Sequence, residues 1–344
     1  MSKISYLSAT LVCLAGFFGI VAPANAQSGD VNIYSYRQPE LIAPLLDTFT
    51  AETGINTRVL NLSDGILERM QAEGRNSPAD VILTVDIGRL VGIKDGGITQ
   101  AVESSLIDGN IPSQYRDKEG HWFGLTTRGR VVYAARDRVE QNDITYAELA
   151  DPKWEGRICT RSGQHAYNIA LFASIIAHEG EAAAETWLSG VKNNLARKPT
   201  GNDRAQAQAI FSGECDLALG NTYYVGLMRT NEENPEQKEW EKSIKVLFPD
   251  TLGRGTHVNL SGMAMAKYAP NRENALALME FLSSAKAQEI YAEQVFEYPV
   301  KPGSKPSALV QSFGTIKPDD LDLETIAHFR AAASQLVDKV GFND

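Results

Sequence analysis

VNIYSYRQPELIAPLLDTFTAETGINTRVLNLSDGILERMQAEGRNSPADVILTV, residues 31–85, carries the alternation that decides the fold. Val31-Asn-Ile-Tyr-Ser35 is a short β-branched and aromatic run that reads as a strand. Pro39 to Glu52 then puts Leu41, Leu45, Leu46 and Phe49 on one helical face. Asn56 to Leu60 is strand-like again, Asp64 to Gly74 is helical, and Asp80-Val-Ile-Leu-Thr-Val85 is a buried strand. A β-α-β-α-β order of this kind predicts a mostly parallel sheet covered by helices.

The alternation continues outward. His121 to Ala135 is β-rich and leads into a second unit with helices over Ala170–His178, Glu181–Asn193 and Asp203–Ser212. Thr230 to Glu241, with its Glu-Glu-Asn-Pro-Glu run, reads as an exposed loop. Val258 to Ala266 is a strand that returns to the first unit, followed by helices over Asn271–Ser284 and Ala285–Gln294. No internal repeat or low-complexity tract is present. A chain of this length exceeds one compact core. The expectation is an α/β protein of two lobes, with mixed sheets, flanking helices and a cleft between them. Residues 27–126 plus 251–301 form one lobe, and 127–250 plus 302–344 the other.

The first residues set the compartment. Met1-Ser-Lys3 is basic, Leu7 to Val21 is apolar, and Ala24-Asn-Ala26 matches a small-x-small cleavage site. The expected signal peptide is therefore 1–26, and its apolar run falls short of the roughly 20 residues that span a bilayer. Removing residues 1–26 from the 344 leaves 318; the only charge lost is Lys3, so the net charge moves from −10 to −11. An acidic chain without a basic stripe argues against nucleic acid. Of three cysteines, Cys159 and Cys215 remain after cleavage. In an oxidising compartment they form either a bridge or a pair of buried thiols.

Chemistry concentrates in Gly220-Asn-Thr-Tyr-Tyr-Val-Gly226, which follows the strand-like run Cys215-Asp-Leu-Ala-Leu219. In an extended strand, Tyr223 and Tyr224 would point to opposite faces. Here Gly220 ends the strand and Asn221 or Thr222 can cap a helix, so both tyrosines fall on its first turn. Ser162-Gly-Gln-His-Ala-Tyr-Asn168 repeats the arrangement after Arg157-Ile-Cys-Thr160 and contributes Tyr167. Phenolates are hard oxygen donors suited to a highly charged cation. Lone tyrosine pairs are more often half-buried core, and it is the repeat that distinguishes these. Glu73, Asp80 and Asp86 could suggest a carboxylate metal site but fit solvated or capping roles better. His165, two residues from Tyr167, could support the ligands from behind but reads more plainly as a surface-loop residue, and His121 and His257 show no ligand spacing. No phosphate loop, Gly-x-Ser-x-Gly elbow or His-Glu-x-x-His run occurs.

Several segments, in order, carry a resemblance: Val31-Asn-Ile-Tyr-Ser-Tyr-Arg-Gln38, Ser77–Asp86, Trp122–Arg130, Arg161-Ser-Gly163, Leu195–Pro199, Gly220–Tyr224 and Tyr298-Pro-Val-Lys301. Together they resemble the periplasmic ferric-iron-binding proteins of ABC transporters across essentially the whole mature chain. The resemblance implies Fe(3+) held in an inter-lobe cleft by Tyr167, Tyr223 and Tyr224, in a monomer that hands iron to a membrane permease. Some members of that family have His-Tyr after the arginine of the first loop. This chain has Gln38-Pro39 there, so it looks like the branch that uses three tyrosinates plus a small anion such as carbonate or bicarbonate. Arg128 is the first candidate to hold that anion, since a guanidinium fork matches a carboxylate. Arg130 comes next, and Gln38 and Arg37 are candidates from the opposite lobe; for both Arg128 and Arg130 a hinge salt bridge is the plainer role. Two rivals stand beside this reading. One is a solute-binding protein for an organic cation or polyamine, with the tyrosines as walls. The other is an exported enzyme using a tyrosine, which lacks a partnering base unless His165 serves.

Overall fold

The computed structural model describes residues 29–344, so the expected signal peptide lies outside the described residues. The opening strands are β1 (Asp30–Ser35), β2 (Asn56–Asn61) and β3 (Val81–Thr84), with β1 paired in parallel to both others. Helices Pro39–Thr53 and Ile66–Glu73 connect them. Side chains alternate across these strands as the pleat requires. Val31, Ile33, Val81 and Leu83 pack with Leu41, Leu45 and Phe49 in one core, while Tyr34 and Ile82 face the other.

Four further strands continue the main path of the ten-stranded sheet, and three short strands pair off that path. The four are β4 (Phe123–Ala135), β5 (Ile158–Cys159), β6 (Leu217–Asn221) and β7 (Val258–Ala266), giving the order β2-β1-β3-β7-β4-β6-β5. Pairs β3–β7, β7–β4 and β4–β6 are antiparallel and β5–β6 is parallel, so the sheet is mixed. All thirteen residues of β4 are buried. Its first part pairs with β7, ending at Gly129 opposite Val258, and its second part pairs with β6, starting at Arg130 opposite Asn221. One strand is therefore shared by the two lobes, and the change of partner falls between Arg128 and Arg130. The helix Leu323–His328 packs on both Ile87–Asp95 and Ala166–Glu179, so the tail contacts each lobe.

Three segments depart from expectation. Thr230–Glu241 is not all loop: Glu236–Ser243 is a helix. Pro235 precedes it, Glu236 and Glu239 occupy its positive end, and Arg229 ties to Glu241 at 2.5 Å. The second-lobe helix starts at Ala166 rather than Ala170, because His165 caps it. Ala285–Gln294 is helical only to Ile290, then makes one π turn over Tyr291–Val295 that ends at Phe296 with φ 60°.

Candidate metal centre

Tyr167 sits on the first turn of Ala166–Glu179, where the Nδ1 of His165 accepts the Tyr167 backbone N–H at 3.2 Å. Tyr223 and Tyr224 sit on the first turn of Thr222–Arg229. Asn221 occupies the cap position but its side chain makes no cap bond. Its Oδ1 accepts from Arg130 Nη1 at 3.0 Å instead. Thr222 Oγ1 accepts from the Gly129 N–H at 3.3 Å. Cys159 and Cys215, on or beside the strands that lead into the two helices, form a disulfide with Cα atoms 5.9 Å apart.

This scaffold brings the three phenols together. Tyr167 Oη lies 3.2 Å from Tyr223 Oη, and the Tyr223 and Tyr224 ring centroids are 4.2 Å apart. Tyr223 and Tyr224 are buried and Tyr167 is half-buried. Burial pushes the Tyr223 phenol well above its usual value, and Tyr167 and Tyr224 raise it further. The Tyr224 phenol is raised by burial, then by Tyr167 and Asp203. Both are neutral at physiological pH unless a strong positive charge enters. Tyr36, by contrast, is braced elsewhere: its hydroxyl accepts from the Ile66 N–H at 2.8 Å and Arg89 covers its ring at 3.9 Å.

Arginines surround the tyrosines. Guanidinium carbons lie 5.7 Å (Arg37) from the Tyr223 ring, 5.8 Å (Arg128), 6.0 Å (Arg130) and 5.1 Å (Arg161) from the Tyr167 ring, and 5.1 Å (Arg204) from the Tyr224 ring. Their partners separate them into two kinds. Arg130 donates to Asp203 at 2.8 Å and to Asn168 at 2.7 Å, and Arg161 donates to Asp203 at 3.1 Å. Asp203 also accepts the Asn221 N–H at 2.9 Å, so it braces the Tyr223 strand. Burial alone would raise its carboxyl, but Arg130 and Arg161 hold it below the ordinary range. Arg130 is thus a structural brace. Among the described residues, Arg128, 1% exposed, has no ion pair and donates only to Ser261 Oγ at 3.2 Å; its Nε and Nη2 are buried without a partner there. Arg37 reaches Ser261 and Glu297, each at 2.8 Å.

A cavity of about 290 Å³ opens between the lobes, lined by Tyr36, Arg37, Gln38 and Arg89 on one side and His165, Tyr167 and Tyr223 on the other. Gln38 is exposed on its wall. Burial, then Arg161 and Arg130, lower the His165 imidazole to about 3, and its Nδ1 is engaged by the cap bond. The carboxylates weighed as metal ligands are occupied elsewhere. Glu73 binds Arg69 and Ser77, each at 2.7 Å, Asp80 accepts from Asn32 and Asn271, and Asp86 caps the Ile87 helix and pairs with Arg330 at 3.0 Å. Among the described residues no three His, Cys, Asp or Glu side chains cluster as a metal site. Sequence reasoning missed Asp203, Ser261 and Glu297, whose partners lie far away in the chain.

Comparisons with known proteins show similarity over most of the chain. The sequence profile described as bacterial extracellular solute-binding protein matches residues 76–319. Iron uptake protein A1 of Synechocystis sp. is 42% identical over 324 residues, 94% of this chain and 90% of that protein. Apo ferric ion-binding protein A of Pasteurella haemolytica superposes with a TM-score of 0.88 at 47% identity, covering 92% of this chain and 98% of that one. A Trichodesmium protein solved in complex with iron and citrate ligands gives 0.85 at 39% identity, covering 91% and 100%.

Proposed function

The chain belongs to the bacterial extracellular solute-binding proteins, and from that premise we propose that it captures ferric iron in the periplasm and delivers it, as a monomer, to an ABC permease. The single observation that carries the ligand assignment is the approach of Tyr167 Oη to Tyr223 Oη, 3.2 Å apart, with Tyr224 stacked alongside. Two neutral phenols can share a hydrogen bond at that distance. Two phenolates there repel each other, and a trivalent cation between them reverses the sign. Both helices also aim their N-termini at the cluster, which favours negative oxygens.

Three phenolates balance the charge of Fe(3+) but leave its coordination incomplete, by analogy with other hard cations. A small anion such as carbonate or bicarbonate would complete the shell and neutralise Arg128. The unpartnered Nε and Nη2 of Arg128 form the edge that binds carboxylate-like anions bidentately. Ligation displaces the phenol protons, so binding is coupled to pH. The organic-cation reading fits less well, because such a ligand leaves the raised phenols protonated, so no negative charge offsets the guanidinium groups near the tyrosine rings. Ferric iron instead displaces the phenol protons and gains three anionic oxygens. An enzymatic reading lacks a free base beside Tyr167, since the Nδ1 of His165 already caps the helix.

The deciding experiment is an absorbance titration of the apo-protein with ferric salt and bicarbonate. A visible phenolate-to-iron band that saturates near one equivalent supports the reading. No band, or a band retained in Tyr223→Phe, refutes it.

A further inference from the structure

On the wall built by β1, β4 and β7, a buried carboxylate joins Arg37 and Arg128, each of which has both Nε and Nη2 buried without a partner among the described residues. Glu297 is fully buried. Its Oε1 accepts from Arg37 Nη1 at 2.8 Å, and its Oε2 accepts from Ser261 Oγ at 3.1 Å and from the Thr126 hydroxyl. Ser261 has a single proton to donate, and Glu297 takes it. Its lone pairs then accept Arg37 Nη1 at 2.8 Å and Arg128 Nη1 at 3.2 Å. Each guanidinium is pinned by Nη1 alone. Among the described residues, Nε and Nη2 of both remain buried and unpartnered, which is costly unless they meet an acceptor.

The backbone holds Glu297 in place by an unusual route. Phe296, immediately before it, adopts φ 60° and ψ 31° after the π turn. For a bulky residue this left-handed conformation costs energy and persists only where its surroundings impose it. Those surroundings include the tyrosine helix: a Cβ on Gly226 would lie 2.4 Å from Phe296 Cγ. Phe296 fills the notch that the glycine leaves, and the next residue turns its carboxylate inward.

Asp86 also lies within electrostatic reach of Arg128, but it is paired with Arg330 at 3.0 Å and the two charges cancel. Arg37 and Arg128 then contribute two positive charges, Glu297 one negative, and Thr126 and Ser261 none. We propose that Glu297 is the specificity-determining residue of the anion subsite: it fixes Ser261 as acceptor to both arginines and cancels one of their charges, so the subsite prefers singly charged carboxylate-type anions to doubly charged ones. In a buried site an unbalanced charge is expensive, and one net positive charge is matched by one negative charge. This inference rests on the anion reading above. It does not need iron, since every member of the network lies on the first lobe or the shared strand.

The test is calorimetric titration of the apo-protein at neutral pH and fixed ionic strength with formate, which carries one charge, and oxalate, which carries two. Glu297→Gln should raise the oxalate-to-formate affinity ratio by about tenfold or more. Arg37→Gln, which removes a positive charge, should lower that ratio, and it decides the matter if Glu297→Gln does not accumulate folded. Ser261→Ala unties the guanidiniums without changing the charge, so it should weaken both anions and leave the ratio within about twofold. An unchanged ratio in Glu297→Gln, or in Arg37→Gln where that variant stands in, overturns the proposal. So does a wild-type apo-protein that binds neither anion. The iron band of the wild type is recorded in parallel. If it forms while the ratio ignores Glu297, only this inference falls; if it fails to form, the iron reading falls and the ratio still judges Glu297.

Discussion

The phenol oxygen of Tyr167 lies 3.2 Å from that of Tyr223, across 56 residues of chain. Parallel β5 and β6 and the disulfide between Cys159 and Cys215 hold the two helix starts side by side. Removing either oxygen should spare the fold and empty the site. Tyr167→Phe and Tyr223→Phe are therefore expected to melt within a few degrees of wild type. Their iron affinity should fall by more than the roughly 10–100-fold typical of losing a supporting residue. Tyr36→Phe gives up one hydrogen bond, to the Ile66 N–H, at about 1 kcal/mol, and should bind iron as wild type does. Competition titration against a chelator measures all three.

Iron should be released on acidification. The Tyr223 and Tyr224 phenols are raised above their ordinary value in the free protein, so they hold their protons at neutral pH and ligation must expel them. Proton release on iron binding, followed with an indicator in weak buffer, should exceed one per iron. The apparent affinity should fall steadily as pH drops. Affinity independent of pH would contradict phenolate ligation.

Arg128 should govern anion dependence. With bicarbonate removed, iron affinity of the wild type should drop and then recover on its return. Arg128→Ala should bind iron weakly in both conditions, because the guanidinium proposed to hold the anion is gone. An undiminished bicarbonate effect in the variant would transfer the role to another donor.

Buried carboxylates should make the protein acid-sensitive. Burial alone would raise Asp203, Glu297 and Asp86, but adjoining arginines outweigh it and hold all three below their ordinary values of 3.8, 4.5 and 3.8. Because the folded values lie below the unfolded ones, the stability they contribute is present above the unfolded pKa and is lost as pH falls through the folded one. Denaturant midpoints should hold from neutrality to about pH 4.5 and decline below it. Asp203→Ala, which strands Arg130, should cost about 3–5 kcal/mol at neutral pH.

Reduction of the disulfide should lower stability by about 2–4 kcal/mol. Thiol titration of denatured, unreduced protein should find neither Cys159 nor Cys215 free. Iron affinity should weaken as well, because the bridge joins the segments that carry Tyr167 and Tyr223.

What the chain determines on its own is local. Hydrophobic periodicity marks β1, β3 and the helix Glu181–Asn193, and it marks Val258–Ala266 to the residue, because those patterns repeat within a few positions. The strand-turn-helix setting of Tyr167, Tyr223 and Tyr224 is legible for the same reason. The start at Ala166 is not, since it depends on the side chain of His165 turning back to the Tyr167 N–H. Nor is the helix Glu236–Ser243, whose polar composition reads as loop until Arg229 pairs with Glu241. Only the tertiary structure separates Arg128 from Arg130, which look alike two residues apart on one strand. The strand changes partners between them, so Arg130 meets Asp203 and Asn221 while Arg128 meets Ser261 and forms no ion pair among the described residues. Arg37 and Glu297, 260 residues apart, are joined in the same way. Short-range spacing encodes which face a side chain takes, but the charge that finally sits opposite it is decided when distant strands pack together.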